Sequence, residues 1–175
     1  MDKIKELFIQ NPEKEYYVRE ISRLVGKSPT TISKKLKELT KKKFLIFRNE
    51  LNHSLYKSNN EHEEYKQEKI FYNLNRLKES GLVNFLIKEY NYPEAIILFG
   101  SFAKGEDNKN SDVDLAVISP SEKKINLEKF KTKLRKDIQL FVLSEKEIIN
   151  MKTKNKELLN NLLNGIKLYG FWEIF

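Results

Sequence analysis

Residues 99–115 read FGSFAKGEDNKNSDVDL, and this stretch decides the fold of the second part of the chain. An apolar run, residues 95–99, ends at Gly100 and Ser101. After a polar loop, Asp112 and Asp114 occupy alternate positions of a second apolar run. Alternate residues of a β-strand point to the same face, so both carboxylates are predicted to project together beside the loop that carries Gly100 and Ser101.

These residue types suit a metal-bound triphosphate. A glycine lets the backbone approach a phosphate closely, a serine offers a hydroxyl and an N–H group, and two carboxylates are hard oxygen ligands for Mg²⁺. A plain β-hairpin is the alternative, because Asn, Asp, Gly and Ser are ordinary turn residues. Ser111 has a role as a turn residue under either interpretation. Lys104 is either a phosphate partner or a solvated lysine.

The combined pattern is more specific than its parts. Gly100-Ser101 after a strand, Gly105 four positions later, and the run from Ser111 through Asp112 and Asp114 to Leu115 resemble the motif of the DNA polymerase beta-like nucleotidyltransferase superfamily, especially its minimal branch. The resemblance implies transfer of a nucleotidyl group from an NTP, with two Mg²⁺ ions held by Asp112 and Asp114. It implies further that the nucleotide is bound by Gly100, Ser101, Lys104 and Ser111.

The acceptor is not implied by the motif. Minimal nucleotidyltransferases modify antibiotics, nucleic-acid ends or protein side chains, and some act with a small helical partner protein. A toxin–antitoxin component that regulates its own operon is therefore one alternative for this chain.

A third carboxylate on a later strand completes the metal site in this superfamily and usually acts as the base. The strand predicted here is Ile138–Leu143, and the residue that aligns with the carboxylate is Gln139. An amide is a poor Mg²⁺ ligand and cannot take up a proton. Asp137, two residues earlier on the same strand face, is the other candidate. If neither serves, the domain would bind a nucleotide without efficient transfer, and a nucleotide-sensing regulator is the alternative function.

Positive charge is concentrated near the N-terminus. Residues 1–60 carry 14 Lys and Arg against 7 Asp and Glu, whereas residues 61–175 carry 19 against 18. Such an excess attracts a polyanion such as duplex DNA. Cysteine is absent, the N-terminus is charged, and no apolar run approaches the ~18 residues of a membrane span. We therefore expect a cytoplasmic protein that does not bind a membrane.

Apolar spacing and breakers predict three helices and a hairpin in residues 1–60. The predicted elements are a helix around residues 4–8 stopped by Asn11-Pro12, a helix over Val18–Val25, a helix from Ser28 to about Thr40, and strands Phe44–Asn49 and Ser54–Ser58 joined by a turn that contains Asn52 and His53.

This order of elements resembles a winged helix-turn-helix domain of prokaryotic or archaeal regulators. In the third helix, Ile32, Leu36 and Leu39 would be buried, which leaves hydroxyl and basic side chains facing outward. The residues predicted to bind DNA are Arg19, Ser28, Thr30, Thr31, Ser33, Lys34, Lys37, Arg48 and Lys57. Winged-helix domains also act as protein-interaction modules, so that alternative stays open.

The expected fold class is α+β, with a winged helix-turn-helix over residues 1–60, a connecting helix over residues 61–80, and a nucleotidyltransferase domain over residues 81–175. That last domain should contain a small mixed sheet flanked by helices. Its expected helices are Leu82–Tyr90, Ile125–Arg135 and Glu145–Leu168, followed by an aromatic tail, residues 169–175, that docks on the core. Ile70, Leu74 and Leu77 would pack within the chain or, alternatively, form a homodimer.

Overall fold

The chain forms two compact units, Met1–Tyr72 and Asn73–Phe175. A computed structural model describes residues 2–50, 53–121 and 123–173. The boundary between the units falls inside a helix, Glu63–Ser80, where a connecting helix was predicted over residues 61–80. Throughout those described ranges, no helix is both long and apolar enough to cross a bilayer.

The first unit combines helices with a three-stranded antiparallel sheet. All its neighbouring strands pair antiparallel, in the order β1-β3-β2. Its elements are α1 (Lys3–Gln10), β1 (Tyr16–Tyr17), α2 (Val18–Val25), α3 (Pro29–Lys41), β2 (Leu45–Glu50), β3 (His53–Ser58) and the first part of α4 (Glu63–Ser80).

Local signals explain why the predicted bounds of α2 and α3 agree with the structure to within one residue. Gly26 ends α2 in the left-handed conformation that favours glycine. Ser28 caps α3 by accepting the Thr31 N–H at 3.2 Å, and Pro29 occupies the first turn. Strand β1 was not predicted, because two residues are too few to show alternation. The predicted turn residue Asn52 lies outside the described residues.

The second unit contains a four-stranded sheet in the order β6-β5-β4-β7. Strand β5 runs parallel to β6 and antiparallel to β4, and β4 is antiparallel to β7, so the expected mixed sheet is confirmed. Its elements are the remainder of α4, α5 (Leu82–Glu89), β4 (Ala95–Phe99), α6 (Gly100–Lys104), β5 (Val113–Ile118), α7 (Glu128–Leu134), β6 (Ile138–Leu143), α8 (Glu145–Lys154), α9 (Lys156–Leu163) and β7 (Ile166–Gly170).

Helices cover both faces of this sheet. In β4, Ile96 and Leu98 pack in a cluster with Leu86 of α5, whereas Ile97 packs in a second cluster with Leu159 of α9. A strand that is buried on both faces reads as a continuous apolar run, which is what β4 and most of β5 show. The carboxylates at the start of β5 are therefore the exception in an apolar setting.

The C-terminal part of the second unit differs from the prediction. The expected helix Glu145–Leu168 is broken at Asn155, whose side chain caps α9 by accepting the Leu158 N–H at 3.1 Å. Residues 166–168 lie in β7, because their backbone pairs with β4 and completes the sheet. Of the predicted tail, Trp172 packs against the core and Phe171 is 66% exposed, while residues 174–175 lie outside the described residues.

Helix α7 also begins later than expected, at Glu128 rather than Ile125. The Asn126 side chain accepts the Glu128 N–H at 2.9 Å, which favours a turn just before the helix. Leu74 and Leu77 pack in the core of the second unit, so for these two residues the intramolecular alternative agrees with the structure.

Candidate functional site

The sheet brings the candidate site residues together at one end. Asp114 pairs in register with Phe99 of β4 on one side and with Gln139 of β6 on the other. Asp112 lies one residue before β5, and Gly100 directly follows β4. The carboxylates are thus positioned by strand pairing beside the Gly100 turn.

Gly100 and Asp114 approach each other very closely. A Cβ atom on Gly100 would lie 2.1 Å from Asp114 Oδ2, a distance that real Cβ atoms do not show. Gly100 also has φ +70°, in the left-handed region. Two independent constraints therefore require glycine here.

Gly100 begins a short helix where the sequence predicted only a polar loop. This helix, α6, ends at Gly105, whose N–H bonds to the Ser101 carbonyl. Five residues are too few to give a periodic signal, although the spacing of Gly100 and Gly105 marks both of its ends. The turn therefore presents a helical backbone beside Asp114.

The surroundings of Asp114 disfavour the ionised form of its carboxylate. Burial raises its pKa above the ordinary value, and the neighbouring Asp112 charge raises it further. Among the described residues, neither of these two carboxylates forms an ion pair with a basic side chain. Paired carboxylate oxygens with no counter-charge fit a divalent cation such as Mg²⁺. No group of three or more His, Cys, Asp and Glu side chains that could hold a metal is found within the described ranges.

Gln139 and Asp137 make different contacts. Gln139 Nε2 donates a hydrogen bond to Asp112 Oδ2 at 2.7 Å, so the amide is directly at the site. Asp137 is exposed and pairs with Lys131 of α7 at 3.3 Å. Gln139 therefore contacts the aspartates directly, whereas Asp137 contacts Lys131, and which of the two takes the place of the third carboxylate stays a prediction.

The other predicted nucleotide-binding residues lie on α6 and directly before Asp112. Ser101 is half-buried in α6, and Lys104 is exposed at the end of that helix. Ser111 Oγ accepts the Asn108 N–H at 2.9 Å, which is the turn role considered above. Contact of these three side chains with a nucleotide stays a prediction.

Sequence reasoning missed the network that holds the loop between α6 and β5. Asp107 and Lys136 form an ion pair at 3.3 Å, and each side chain is only 7% exposed. Asn73 Nδ2 also donates to Asp107 at 2.8 Å, and Lys136 Nζ donates to the Ser111 carbonyl at 3.1 Å. No local pattern reveals contacts between residues this far apart in the chain. The network fixes the loop that leads into Asp112.

The family of the chain follows from a match to the whole region that builds this site. Residues 82–171, just over half of the chain, match the family described as polymerase beta, nucleotidyltransferase. The chain belongs to the polymerase beta nucleotidyltransferase family.

Two further comparisons complete this result. A solved structure of a protein assigned as a nucleotidyltransferase from Sulfolobus solfataricus is similar over 62% of this chain and 94% of its own length, with 20% sequence identity and a TM-score of 0.36. No curated protein matches the sequence.

The nucleotidyltransferase match contains the Gly100 turn, Asp112, Asp114 and the whole of β6, but none of the first unit. The first unit therefore has to be interpreted from its own residues.

In the first unit, the predicted DNA-binding residues of α3 are accessible. Ser28 is exposed, but its hydroxyl also serves as the helix cap and lies 2.8 Å from Thr31 Oγ1. Ser33 is half-buried. The remaining predicted residues of α2 and α3 are exposed, namely Arg19, Thr30, Thr31, Lys34 and Lys37.

The two predicted DNA-binding cations of the hairpin are already paired. Arg48 lies 2.8 Å from Glu15 and 3.1 Å from Glu50, and Lys57 lies 2.8 Å from Glu13. Contact of these side chains with a phosphate would require them to leave their carboxylate partners. The basic groups of α3 are thus more available for contact with a phosphate than those of the hairpin.

The close approach of Asp114 to Gly100 predicts the effect of substituting this glycine. Gly100→Ala should destabilise the protein by more than Gly81→Ala, because Gly81 has φ +78° but nothing within 4 Å of its Cβ position. The control should cost about 1–2 kcal/mol for the left-handed backbone alone. Urea unfolding of the full chain measures both free energies. Equal losses would contradict the crowding, and the excess should shrink in an Asp114→Ala background.

Proposed function

We propose that the second unit transfers a nucleotidyl group from an NTP, in a reaction that depends on Mg²⁺. The observation that carries the proposal is the contact of Asp114 with the Gly100 turn, beside Asp112. A pair of uncompensated carboxylates next to a glycine turn fits a triphosphate that arrives with its cation.

Each residue has a defined part in this proposal. Asp112 and Asp114 hold the cation, and Gly100 and Ser101 direct their backbone N–H groups towards the β- and γ-phosphates. Mg²⁺ supplies neutralisation of the phosphate charge that develops during transfer. Lys104, exposed next to this turn, adds a cation on the triphosphate side.

The transfer step needs a proton acceptor, and Gln139 cannot be that acceptor. An acceptor hydroxyl attacks the α-phosphorus, the bond from that phosphorus to the bridging oxygen of the β-phosphate breaks, and pyrophosphate leaves with the electron pair. The hydroxyl proton must go to a base, and the Gln139 amide cannot accept it. We therefore infer that nucleotide binding is efficient and that transfer is slow.

A nucleotide-sensing regulator is the second candidate function. It is favoured by the hydrogen bond from Gln139 to Asp112, because an amide donor stabilises that carboxylate without providing a base. In this case the NTP would bind and no product would form. The two candidates differ only in turnover, so a transfer assay separates them.

Restoring a carboxylate at position 139 should increase transfer. Gln139→Asp or Gln139→Glu is expected to raise the rate by up to ~10²–10⁴-fold, the usual value of a general base, with NTP affinity changed by much less. The assay follows labelled nucleotide from α-³²P NTPs on candidate acceptors, and calorimetry measures NTP binding.

Asp137→Asn is the matched control, because Asp137 is paired with Lys131. A fast wild-type enzyme that Asp137→Asn inactivates would instead assign the base to Asp137. No transfer by any of the three proteins, with NTP binding intact, would favour the regulator.

We also propose that the first unit is a winged helix-turn-helix that binds duplex DNA. Support comes from its three helices and antiparallel sheet, from the positive excess of residues 1–60, and from the exposed basic face of α3. Exposed hydroxyl and amine groups on one helix suit a major groove and its phosphates.

Lysines on α3 provide a matched test of DNA binding. Lys34→Ala and Lys37→Ala should each weaken binding of the full chain to duplex DNA and lower the salt dependence by ~1. Lys35→Ala is the control on the same helix, because Lys35 pairs with Glu38 at 3.1 Å and Asp2 at 3.6 Å. Fluorescence anisotropy over a salt series measures all three variants. If Lys35→Ala weakens binding as much as the other two, the proposed α3 surface is wrong.

A further inference from the structure

A cavity of about 500 Å³ lies beside Asp112 in the second unit. Its walls come from residues 109–112, from α7 with the residues that follow it, and from Asp137 before β6. Asp112 lines it, whereas Gly100 and Asp114 do not. The cavity is therefore a space separate from the turn proposed to hold the triphosphate, and the two share one carboxylate.

Each carboxylate that lines this cavity has a polar partner. Glu128 and Asp137 share Lys131, at 3.1 and 3.3 Å. Asp112 accepts the Gln139 amide at 2.7 Å, which leaves its negative charge for the Mg²⁺ of the proposed function. At Glu128 and Asp137, a cationic ligand would have to displace Lys131.

The basic side chains that line the cavity do not all form ion pairs within the described residues. Lys136 is held by buried Asp107. Lys109 and Arg135, by contrast, line the cavity, are exposed, and form no ion pair with any described residue. The lining has four basic side chains against three acidic ones, and two of the basic ones form no ion pair with a described residue. An arginine matches phosphate oxygens with its two parallel N–H donors.

Arg135 also has an unusual backbone. It ends α7 with φ +51° and ψ +42°, in the left-handed position where glycine is the usual residue. A non-glycine residue there costs on the order of 1 kcal/mol. Lys43, Asn91 and Tyr92 share this backbone region, so the conformation serves here as a tool for the test: a glycine at position 135 removes the side chain without adding backbone strain.

We propose that this cavity binds the acceptor of the transfer reaction, and that the acceptor carries a phosphate contacted by Arg135 and Lys109. A volume of about 500 Å³ suits a nucleoside monophosphate unit, either free or at the end of a strand. Its hydroxyl would lie towards Asp112 and attack the α-phosphorus, with pyrophosphate leaving and the proton passing to solvent. This inference rests on the proposed transferase function and names its acceptor class.

The test uses Arg135→Gly in the full chain, because this change removes the cation and relieves the backbone. The variant should be as thermally stable as wild type or more stable, so lost binding cannot be ascribed to unfolding. Arg135→Lys keeps the charge, and Lys124→Ala controls for a basic residue outside the cavity lining. Calorimetry measures AMP and a 5′-phosphorylated RNA pentamer, with Mg²⁺ and saturating α,β-methylene-ATP to fill the triphosphate site.

The expected result is that Arg135→Gly weakens AMP or pentamer binding by ~10–100-fold, as for a lost charge-assisted hydrogen bond, and leaves α,β-methylene-ATP binding unchanged. Tighter binding of the pentamer than of AMP would assign the acceptor to a strand end, and the reverse to a free nucleotide. Equal binding of both probes to wild type and Arg135→Gly, or binding of neither, overturns the acceptor site. Failure of wild type to bind α,β-methylene-ATP would instead contradict the proposed function.

Discussion

The contact between the Asp114 carboxylate and the Gly100 backbone is the constraint on which the site depends. The pairing of Asp114 with Phe99 brings the carboxylate over the first residue after β4. A Cβ atom there would lie 2.1 Å from Asp114 Oδ2, so any residue other than glycine would force the Asp114 side chain to move. The missing side chain at Gly100 thus makes room for the protein's own Asp114 carboxylate. The same lack of a Cβ atom would also let a phosphate approach the backbone closely.

The same contact explains why the site is suited to a cation. Burial and the charge of Asp112 both raise the pKa of Asp114, which means that the ionised form is disfavoured in the fold. A bound divalent cation reverses the sign of that interaction, since it favours both ionised carboxylates. The buried pair of Asp107 and Lys136 contributes by fixing the loop that leads to Asp112.

In the proposed function, Gln139 would separate nucleotide binding from turnover. A third carboxylate would add to the repulsion between Asp112 and Asp114, whereas the amide donates a hydrogen bond to Asp112. The amide therefore stabilises the arrangement of the two aspartates, but it cannot serve as a base. Under our proposals, the nucleotide would bind and be transferred slowly, and the cavity beside Asp112 would select the acceptor.

Much of the fold could be predicted from local signals, and the errors have physical causes. Caps at Ser28 and Gly26 fixed the bounds of α2 and α3, and alternation located Asp112 and Asp114. The single helix predicted over residues 145–168 was wrong at its C-terminal end. The helical spacing of apolar residues continues into β7, but there pairing with β4 determines the structure.

Long-range contacts were the other part that the sequence did not reveal. Lys136, the partner of Asp107, and Glu15, one partner of Arg48, are distant in sequence, so no periodic pattern reports them. The placement of Gln139 on the strand beside the two aspartates required only the alignment of one strand, and it could be predicted.

The affinity of Mg²⁺·α,β-methylene-ATP for wild type, Asp112→Asn and Asp137→Asn, measured by calorimetry, tests most directly whether the two aspartates hold the nucleotide-bound cation. If Asp112 and Asp114 hold the nucleotide-bound cation, Asp112→Asn should weaken binding by ~10-fold or more, a loss of about 1.4 kcal/mol. Asp137→Asn should leave this affinity unchanged, because Asp137 is paired with Lys131. An Asp112→Asn protein that binds Mg²⁺·α,β-methylene-ATP as tightly as wild type would contradict the account.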